Sequence, residues 1–563
     1  MEKNKQIESE KFQSFVLAFS MFVMGACAIA YEYSFCKLAT DLLGNSSFQW
    51  SLIIGLMLLF MGIGSDMQKY FPDEGLVDKF IIIEILLAFA GGFGPILVLY
   101  CFGMFPGHFA LVQYSFIIII GFLVGCELPI IIRINERFNQ NLKINLSRML
   151  RMDYLGSFFG ALFWVFFLVR YLELIEAAFY IALTNILVAL LAFVSFKKNL
   201  KSRKVISGSI AFLIIALSVG VTQAKNWSRN AEQYLYYDPI IYSKTTDFQH
   251  VVITQKKSGV FSLYINGNLQ FSSVDEHIYH ENLVHPVMTI APSRKRVLIL
   301  GGGDGLALRE LKKYSDIETI TLVDLDPVMT EISRDLKIIK ELNQSSLEDE
   351  RIQIIKSLAV SKGEKTRVQK YNERFYHYRQ PDKGPDIYIY NVDAGKFVEQ
   401  IPGLYDVIII DLPDPNSLDL AKLYSLMFYR NISSKLTPTG IMISQSSSPF
   451  FSKEAFLCIG RTMRAAGLNT VPYRHNVPSF GEWGFWIAGN SGFWTEKKIK
   501  DQLENISEIG IKSQYLVPEL IRSSLVFGKS WLNSKNQDIN TLTNNRLYFY
   551  YSQEWSETYG REE

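Results

Sequence analysis

Cysteine is scarce in this chain, which has five among 563 residues. Four of them, Cys27, Cys36, Cys101 and Cys126, lie in or beside apolar segments, and Cys458 lies in the more polar half. Their spacing matches neither a zinc site nor the disulfide framework of a small secreted domain. The sequence therefore predicts no bound metal and no disulfide scaffold.

An excess of charge is missing as well. The chain has 57 Lys and Arg residues against 55 Asp and Glu residues, which gives a net charge of +2. Proteins that bind nucleic acid through its phosphates usually carry a basic surplus on one face or in one domain. We therefore expect no nucleic-acid partner.

Long apolar runs, by contrast, fill the first 224 residues. A membrane span needs roughly 20 apolar residues, and seven segments approach or exceed this length: Phe12–Phe35, Phe48–Ile63, Phe80–Phe105, Phe109–Ile132, Leu155–Leu172, Ile175–Phe196 and Val205–Ala224. We predict a multi-pass α-helical domain of about seven helices over residues 1–229, embedded in the lipid bilayer of the cell membrane. The second segment is short and Pro106 leaves a tight turn after the third, so a broken or re-entrant segment is an alternative. Glycines in these segments predict close helix packing: Gly55, Gly62, Gly64, Gly156 and Gly160.

The basic residues between the apolar segments indicate an orientation. Lysines and arginines gather before the first segment and after the second, fourth and sixth, which places all of them on one side. By the positive-inside rule that side is cytoplasmic. An odd number of crossings then places residues 230–563 outside the cytoplasm, whereas an even number keeps them inside. The side on which the second half lies stays open.

Three acidic residues, Glu32, Glu84 and Glu127, lie within or at the edge of apolar segments. A charge is costly there and often marks a cation path or an interhelical pair. The alternative is placement at the membrane surface or pairing with a basic neighbour such as Arg133. The sequence leaves both interpretations open.

From residue 230 onward, polar, charged and apolar residues alternate as in a soluble domain. Two strand-like runs, Val251–Thr254 and Ser262–Ile265, precede an Asn266-Gly267 pair, which fits a type I′ hairpin turn. We predict a small β subdomain over residues 230–290.

A glycine-rich turn follows. The apolar strand Arg296–Leu300 leads into Gly301-Gly302-Gly303-Asp304-Gly305 and then a helix over Leu306–Tyr314. A second strand, Thr319–Val323, ends at Asp324 about 20 residues later, where an acid can bind a ribose diol. The GxGxxG spacing of dinucleotide sites is absent, and Asp304 lies where a pyrophosphate would bind. The pattern favours a ligand without phosphates, such as a positively charged adenosyl sulfonium.

Two further predicted strands, Asp386–Tyr390 and Tyr405–Ile410, are also followed by acids. In an open parallel sheet, ligands bind beyond the carboxyl ends of the strands. We therefore predict a Rossmann-like α/β domain over residues 291–563, in which five acids converge on one crevice: Asp304, Asp324, Asp393, Asp411 and Asp414. Any one of them alone could cap a helix or shape a turn. Residues 357–385, rich in Lys, Arg and Tyr, look like an insertion, for which a solvated loop is the simplest interpretation.

Several sequence motifs resemble the spermidine-synthase family, specifically its membrane-fused branch of polyamine aminopropyltransferases. The matching segments are Tyr242–Gln249, Leu263–Gln270, Asp275–Glu281, the glycine-rich turn at 301–305, Val323–Pro327, Asp411–Asn416 and Gly481–Gly484. Segments of the apolar half resemble that branch as well: Tyr31–Tyr33, Leu42–Ser65, Gly125–Pro129 and Asp153–Gly156. The likeness extends over nearly the whole chain.

This resemblance implies transfer of an aminopropyl group from decarboxylated S-adenosylmethionine to a diamine such as putrescine, with spermidine and methylthioadenosine as products. The donor is a co-substrate, and no permanently bound cofactor is implied. It also implies a methyltransferase-type sheet and a homodimer. Transferred by position, the donor contacts are Gln249, Gly301, Gly303, Asp304 at the cationic aminopropyl end, Asp324 at the ribose, and Asp393 with Ala394 at the adenine.

On the acceptor side, the resemblance implies that Asp411 accepts the proton of the amine and that Asp414 assists it. The other implied acceptor contacts are Gln270, Tyr279, His280, Asp304 and Gln445. The acceptor nitrogen is mostly protonated at neutral pH, because its pKa is about 10, so a carboxylate that binds it and removes its proton suits this chemistry. Soluble members place a tyrosine just before the Gly-x-Trp segment, and Val477–Phe480 contains none here.

Two alternatives remain. A methyltransferase could use the same scaffold, since a fold does not determine the chemistry that it supports. A polyamine transporter or sensor could instead bind the donor in the second half without turnover.

Overall fold

A computed structural model describes residues 2–43, 46–138, 140–355, 384–401 and 403–559. The chain divides into two compact units, Met1–Ile240 and Ile241–Glu563. Most of the predicted insertion at 357–385 lies outside the described residues. The predicted three-part division at 229/230 and 290/291 stays a prediction.

The first unit is helical. Seven helices in its described part are long and apolar enough to cross a membrane, judged by length and composition. They are α1 (Glu2–Leu43), α2 (Ser46–Met67), α3 (Leu76–Met104), α4 (Phe109–Glu136), α5 (Leu142–Phe163), α6 (Leu174–Ser195) and α7 (Arg203–Gln233). A π-helical turn, Trp164–Leu168, extends α5 to Tyr171. The second helix is continuous, and a short 3₁₀ turn at Pro106–His108 joins α3 to α4, so the structure does not support a broken or re-entrant segment at either place.

Some of the predicted glycines allow these helices to approach closely. A Cβ at Gly64 of α2 would lie 2.1 Å from the backbone oxygen of Phe122 in α4, and one at Gly156 of α5 would lie 1.9 Å from that of Phe22 in α1. Gly160 has a similar close contact with α1. The prediction was wrong for Gly55 and Gly62, which have no neighbouring atom within 4 Å of such a Cβ.

The second unit contains two sheets, and the smaller one has the order β1-β2-β3-β4. Its strands are β1 (Ile240–Thr245), β2 (His250–Gln255), β3 (Phe261–Ile265) and β4 (Asn268–Ser272). Asn266 and Gly267 connect β3 to β4 with φ angles of 49° and 78°. Two positive φ angles in a two-residue loop are what a type I′ turn requires, so the predicted hairpin turn is confirmed.

The larger sheet has eight strands in the order β11-β12-β10-β9-β5-β6-β8-β7. The strands are β5 (Arg296–Gly301), β6 (Thr319–Asp324), β7 (Ile352–Ile355), β8 (Asp386–Asn391), β9 (Tyr405–Asp411), β10 (Leu436–Gln445), β11 (Leu468–Val477) and β12 (Gly481–Asn490). The pairs from β7 to β10 are parallel, whereas β12 is antiparallel to both β10 and β11. The predicted α/β sheet of mainly parallel strands is confirmed.

The helices of the second unit are α8 (Glu276–Ile290), α9 (Leu306–Leu311), α10 (Pro327–Asp335), α11 (Lys337–Leu342), α12 (Ala394–Gln400), α13 (Leu418–Ala421), α14 (Leu426–Lys435), α15 (Lys453–Ala465), α16 (Glu496–Glu504), α17 (Pro518–Ser523) and α18 (Arg546–Tyr559). The predicted helix Leu306–Tyr314 therefore ends earlier, at Leu311.

The central strands β5, β6 and β9 are buried along most of their length, as expected for strands covered on both faces. At the carboxyl ends of these strands, the apolar residues are followed by glycine or aspartate. Gly301 pairs with Asp411 across β5 and β9, and Asp324 pairs with Asn391 across β6 and β8. The carboxyl edge of the sheet is therefore where polar groups gather.

Candidate active site

Four carboxyl groups lie at the carboxyl edge of three adjacent strands. Asp304 follows β5, Asp324 ends β6, Asp411 ends β9 and Asp414 lies three residues later. Each keeps partial exposure to water, yet burial raises the pKa of all four. Their partial exposure indicates that these four carboxyl groups line a cleft.

Asp411 is held by a tyrosine from α8. The hydroxyl of Tyr279 donates to Oδ1 of Asp411 at 2.7 Å. Burial raises the pKa of Asp411, while the nearby charge of His280 and this hydrogen bond oppose the rise. The ring of Tyr279 packs against Phe480 and Phe485, which fixes its position. The hydrogen bond leaves the second oxygen of Asp411 free of Tyr279.

His280 follows Tyr279 on α8 and is anchored by Glu276. Its Nδ1 lies 2.8 Å from the backbone oxygen of Glu276 and 2.9 Å from the Glu276 carboxylate, which is itself bound by Arg309 at 2.7 Å. Burial alone would lower the pKa of His280, but the hydrogen bond and charge of Glu276 raise it to about 9. The negative charges of Asp304 and Asp411 act in the same direction. A positive His280 therefore balances part of the negative charge in the cleft at neutral pH.

Asp414 has one oxygen in use and one without a partner. Ser447 Oγ donates to Oδ2 at 3.1 Å, while Oδ1 is shielded from solvent and has no hydrogen-bond partner among the described residues. Burial raises the pKa of Asp414 to about 6, and the side chains of Gln445, Ser447 and Tyr551 favour its charged form. A buried acceptor without a donor is costly. The Oδ1 atom is therefore suited to a ligand that donates a hydrogen bond.

Gln445 is positioned by groups on neighbouring loops. Its Nε2 donates to the backbone oxygen of Leu412 at 2.5 Å and to the hydroxyl of Tyr424 at 2.7 Å. Its Oε1 accepts from the backbone N–H of Ser447 at 3.1 Å. Gln445 thus fixes the loop after β10 against the segment that carries Asp411 and Asp414.

The glycine-rich turn brings Asp324 into contact with the backbone. Oδ2 of Asp324 accepts from the N–H of Gly303 at 2.9 Å, and a Cβ at Gly303 would lie 2.6 Å from the same oxygen. Gly301 has φ of 89°, and a Cβ there would lie 1.9 Å from the backbone oxygen of Asp411. Burial raises the pKa of Asp324 to about 6, although two backbone N–H groups oppose the rise. Both glycines are needed for this close approach.

Asp304 and Asp393 also accept hydrogen bonds from backbone N–H groups in the first turns of helices. Oδ1 of Asp304 accepts from the N–H of Leu306 at 2.9 Å, and Oδ1 of Asp393 accepts from that of Lys396 at 2.8 Å, which caps α12. Burial raises the pKa of Asp304 to about 6, with the charges of His280 and Asp411 acting in opposite directions. Asp393 thus has the capping role that was the alternative to ligand binding, and its Oδ2 is not used by that cap. Ala394, the first residue of α12, is buried.

The two predicted glutamines of the small sheet are less closely tied to this cleft. Gln249 makes backbone hydrogen bonds with Thr246, whose hydroxyl donates to Asp326 at 2.8 Å, two residues beyond Asp324. The side chain of Gln270 donates to the backbone oxygen of Asn268 at 3.2 Å. Within the described ranges, no hydrogen bond joins either side chain to the carboxylates.

Three residues at the cleft were not predicted from the sequence: Tyr424, Ser447 and Tyr551. Tyr424 holds Gln445, Ser447 holds Asp414, and Tyr551 of α18 lies beside Asp414. A Ser-Ser-Ser run after an apolar strand is a weak signal for Ser447. Tyr551 had no local signal, because its contact depends on how the last helix packs against α15.

One buried cluster outside the cleft has the residue types of a metal site: Glu281, His285 and Glu310. Its ligand atoms already serve internal hydrogen bonds. Glu281 accepts from three backbone N–H groups of residues 514–516, and Glu310 accepts from His285 at 2.9 Å and from Lys313. These partners favour a structural role over metal binding.

Comparisons with known proteins agree with this geometry. The spermine/spermidine synthase domain matches residues 276–375 and 373–500. Proteins named polyamine aminopropyltransferase are 34% identical in Oceanobacillus iheyensis and 33% identical in Leptospira interrogans, each over 96% of this chain and 98% of the relative. Polyamine aminopropyltransferase 2 of Ralstonia nicotianae is 35% identical over 84% of this chain and 86% of its own length. The chain therefore belongs to the polyamine aminopropyltransferase family.

Proposed function

We propose that this chain transfers an aminopropyl group from decarboxylated S-adenosylmethionine to a diamine such as putrescine, releasing spermidine and methylthioadenosine. The observation that carries the proposal is the group of half-buried carboxylates Asp304, Asp411 and Asp414, with one oxygen of Asp414 lacking a donor. A cationic amine and a sulfonium are ligands that such a cleft attracts. The names of the relatives support the same chemistry.

On the donor side, the adenosine part lies along the ends of β5, β6 and β8 in this proposal. Gly301 and Gly303 leave room for close approach, and Asp324 accepts from the ribose hydroxyls. Asp393 and Ala394 contact the adenine, and Gln249 closes the site from the small sheet. Asp304 lies toward the positively charged aminopropyl end.

On the acceptor side, Asp411 is the base. The amine nitrogen gives a proton to the Asp411 oxygen that Tyr279 leaves free and attacks the carbon next to the sulfonium sulfur. The carbon–sulfur bond breaks, and its electron pair leaves with methylthioadenosine. Asp414 Oδ1 accepts a second N–H of the amine and fixes the direction of attack. His280, Gln445 and Tyr279 position these carboxylates, and Gln270 lies at the outer end of the acceptor.

We also propose that the larger sheet is of the methyltransferase type and that the seven-helix unit is embedded as a multi-pass domain in the cell membrane. Its helix lengths and compositions support that placement. The side on which the second unit lies is tested by protease access to a tag after residue 563, in sealed vesicles of known orientation. The homodimer stays a prediction.

Product analysis tests the proposed reaction. The purified full-length protein is incubated with putrescine and either decarboxylated S-adenosylmethionine or S-adenosylmethionine. Formation of methylthioadenosine and spermidine in equal amounts, only from the decarboxylated donor, is expected. Release of adenosylhomocysteine would instead identify a methyltransferase, and donor binding without any product would identify a sensor or carrier.

A further inference from the structure

Two carboxyl groups face each other inside the seven-helix unit. Glu84 of α3 has no exposed surface and Glu127 of α4 is 2% exposed. Neither oxygen of Glu84 has a hydrogen-bond partner among the described residues. The two carboxyl groups are close enough to hydrogen bond to each other when one of them carries a proton.

The groups around this pair come from three other helices, α1, α5 and α6, and from α4 itself. The titratable ones are acids: Cys27 and Tyr31 of α1, Cys126 of α4 and Asp153 of α5. Asn185 of α6 faces the pair as well, but its amide donates to the backbone oxygen of Glu84 at 3.1 Å. The hydroxyl of Tyr31 is an independent indication of a ligand, because it is buried at 1% exposure beside both glutamates and has no hydrogen-bond partner in the described part of the chain.

The alternative that Glu127 pairs with Arg133 is wrong. Arg133 donates to the backbone oxygen of Phe71 at 2.7 Å, to the side chain of Gln68 at 2.8 Å and to Asp73, whose oxygen lies 3.2 Å from Nε. The guanidinium therefore neutralises a loop carboxylate and is engaged away from the pair. The charge of the glutamates has to be balanced by something smaller than a side chain.

A proton satisfies this requirement best. Two charged carboxylates without donors are very costly in an apolar interior, and two carboxyl groups at short distance avoid that cost by sharing one proton. A metal ion or an amine would need added volume between side chains that already exclude solvent, whereas a proton needs none. It also creates a hydrogen bond between the two carboxyl groups.

We propose that Glu84 and Glu127 share a proton and form a proton-exchange site within the seven-helix unit. Asp153 of α5, which acts electrostatically on Glu127 and is only partly buried, is the next carboxyl group on the path of this proton. In the exchange step, the O–H bond of the pair breaks and an O–H bond forms on the Asp153 carboxylate. Asp153 exchanges this proton with one from water and returns it, so that the pair regains one shared proton. The inference rests on the proposed membrane placement and is independent of aminopropyl transfer.

Infrared spectroscopy of the full-length protein in lipid nanodiscs tests the shared proton. At neutral pH the wild type should show a protonated-carboxyl C=O band that shifts in D₂O. Glu84→Gln and Glu127→Gln should each shift this band, and the double variant should lose it. Asp66→Asn, an exposed acid that pairs with Lys69 on α2, is the matched control and should leave the band unchanged. A wild type without the band, or a band that survives in the double variant, overturns the shared proton.

The role of Asp153 has its own readout. The rate of the D₂O shift should fall at least about tenfold in Asp153→Asn, because a positioned proton-transfer group has been removed. An unchanged rate removes Asp153 from the path. Helix content from circular dichroism verifies that each variant is folded. The band of the wild type tests the shared proton without any variant.

Membrane placement is tested separately. Resistance of the expressed protein to alkaline extraction from membranes supports it, and release into solution contradicts it. A membrane-bound protein without the band would support the membrane placement and contradict only the shared proton.

Discussion

Two groups of acids in this molecule differ in their access to water and to hydrogen-bond donors. In the second unit, Asp411 and Asp414 keep partial exposure to water and receive donors from Tyr279 and Ser447. In the first unit, the carboxyl group of Glu84 is sealed from water and no donor reaches it within the described residues. The same functional group can therefore remain charged in one place and must be neutralised in the other.

This difference explains what each site is suited to bind. In the cleft, a carboxylate that accepts a hydrogen bond on one oxygen has its other oxygen available for a cationic ligand. A sealed pair has no room for such a ligand and can exchange only protons. The comparison is closest at Asp414, whose Oδ1 lacks a partner among the described residues, as the Glu84 oxygens do, although Asp414 as a residue keeps partial exposure.

The largest effect is expected from removing the charge of Asp411. Asp411→Asn keeps the shape of the side chain but cannot accept the proton of the amine, so kcat should fall by about 10³-fold, within the range for a general base. The Kd for the donor should change little. Single-turnover kinetics and calorimetry measure the two quantities. Asp419→Asn, an exposed acid on the same segment that pairs with Lys422, is the control, and wild-type turnover in Asp411→Asn would exclude it as the base.

The second-largest effect is expected in the affinity for the nucleoside part of the donor. Asp324→Ala should raise the Kd for methylthioadenosine about 10- to 100-fold, because hydrogen bonds to a charged group contribute about 1.5–3 kcal/mol. The loss also leaves the N–H of Gly303 without its acceptor. Asp324→Asn retains an acceptor oxygen for that N–H and isolates the contribution of the charge. If both variants bind methylthioadenosine as the wild type does, Asp324 does not contact the ribose.

The sequence predicted the positions of the acids more fully than their partners. The strands β5, β6, β8 and β9 were recognisable as apolar runs. Those of β6, β8 and β9 ended before an acid or an asparagine, and that of β5 ended before the glycine-rich turn that carries Asp304, so the gathering of these acids at one edge followed from parallel pairing. The resemblance named Tyr279 and Gln445 on the acceptor side, but the hydrogen bond from Tyr279 to Asp411 was not predictable, because the two residues are 132 residues apart in sequence. Such contacts depend on strand order and on how distant helices pack. Likewise, Glu84 and Glu127 were noticed as acids in apolar segments, but their pairing depends on which faces of α3 and α4 meet.

A smaller effect should appear in stability. Burial raises the pKa of Asp414 from 3.8 to about 6, so its charged form opposes folding. The associated stability is fully present below pH 3.8 and is lost as pH rises through about 6. Asp414→Asn should therefore stabilise the ligand-free protein at pH 7.5 by on the order of 1–2 kcal/mol, allowing for solvent screening, and the gain should vanish near pH 4. Thermal unfolding at both pH values measures it. An equal or lower Tm for the variant at pH 7.5 would show that the charge of Asp414 does not destabilise the folded protein.

The smallest effect is expected from Tyr551, which lies beyond the matched synthase domain yet reaches the cleft. Its hydroxyl lies beside Asp414, and α18 is held to the start of α15 by Glu554, which accepts from the N–H of Glu454 at 2.9 Å. Tyr551→Phe should raise KM for putrescine about 3- to 10-fold, the value of one neutral hydrogen bond, with kcat and donor Kd nearly unchanged. Tyr548→Phe on the same helix is the control. Val477–Phe480 contains no tyrosine, and Tyr551 adds a phenol beside Asp414 to those of Tyr279 and Tyr424. A loss of kcat without a change in KM would instead show that Tyr551 orients Asp414 for the chemical step and does not help to hold the amine.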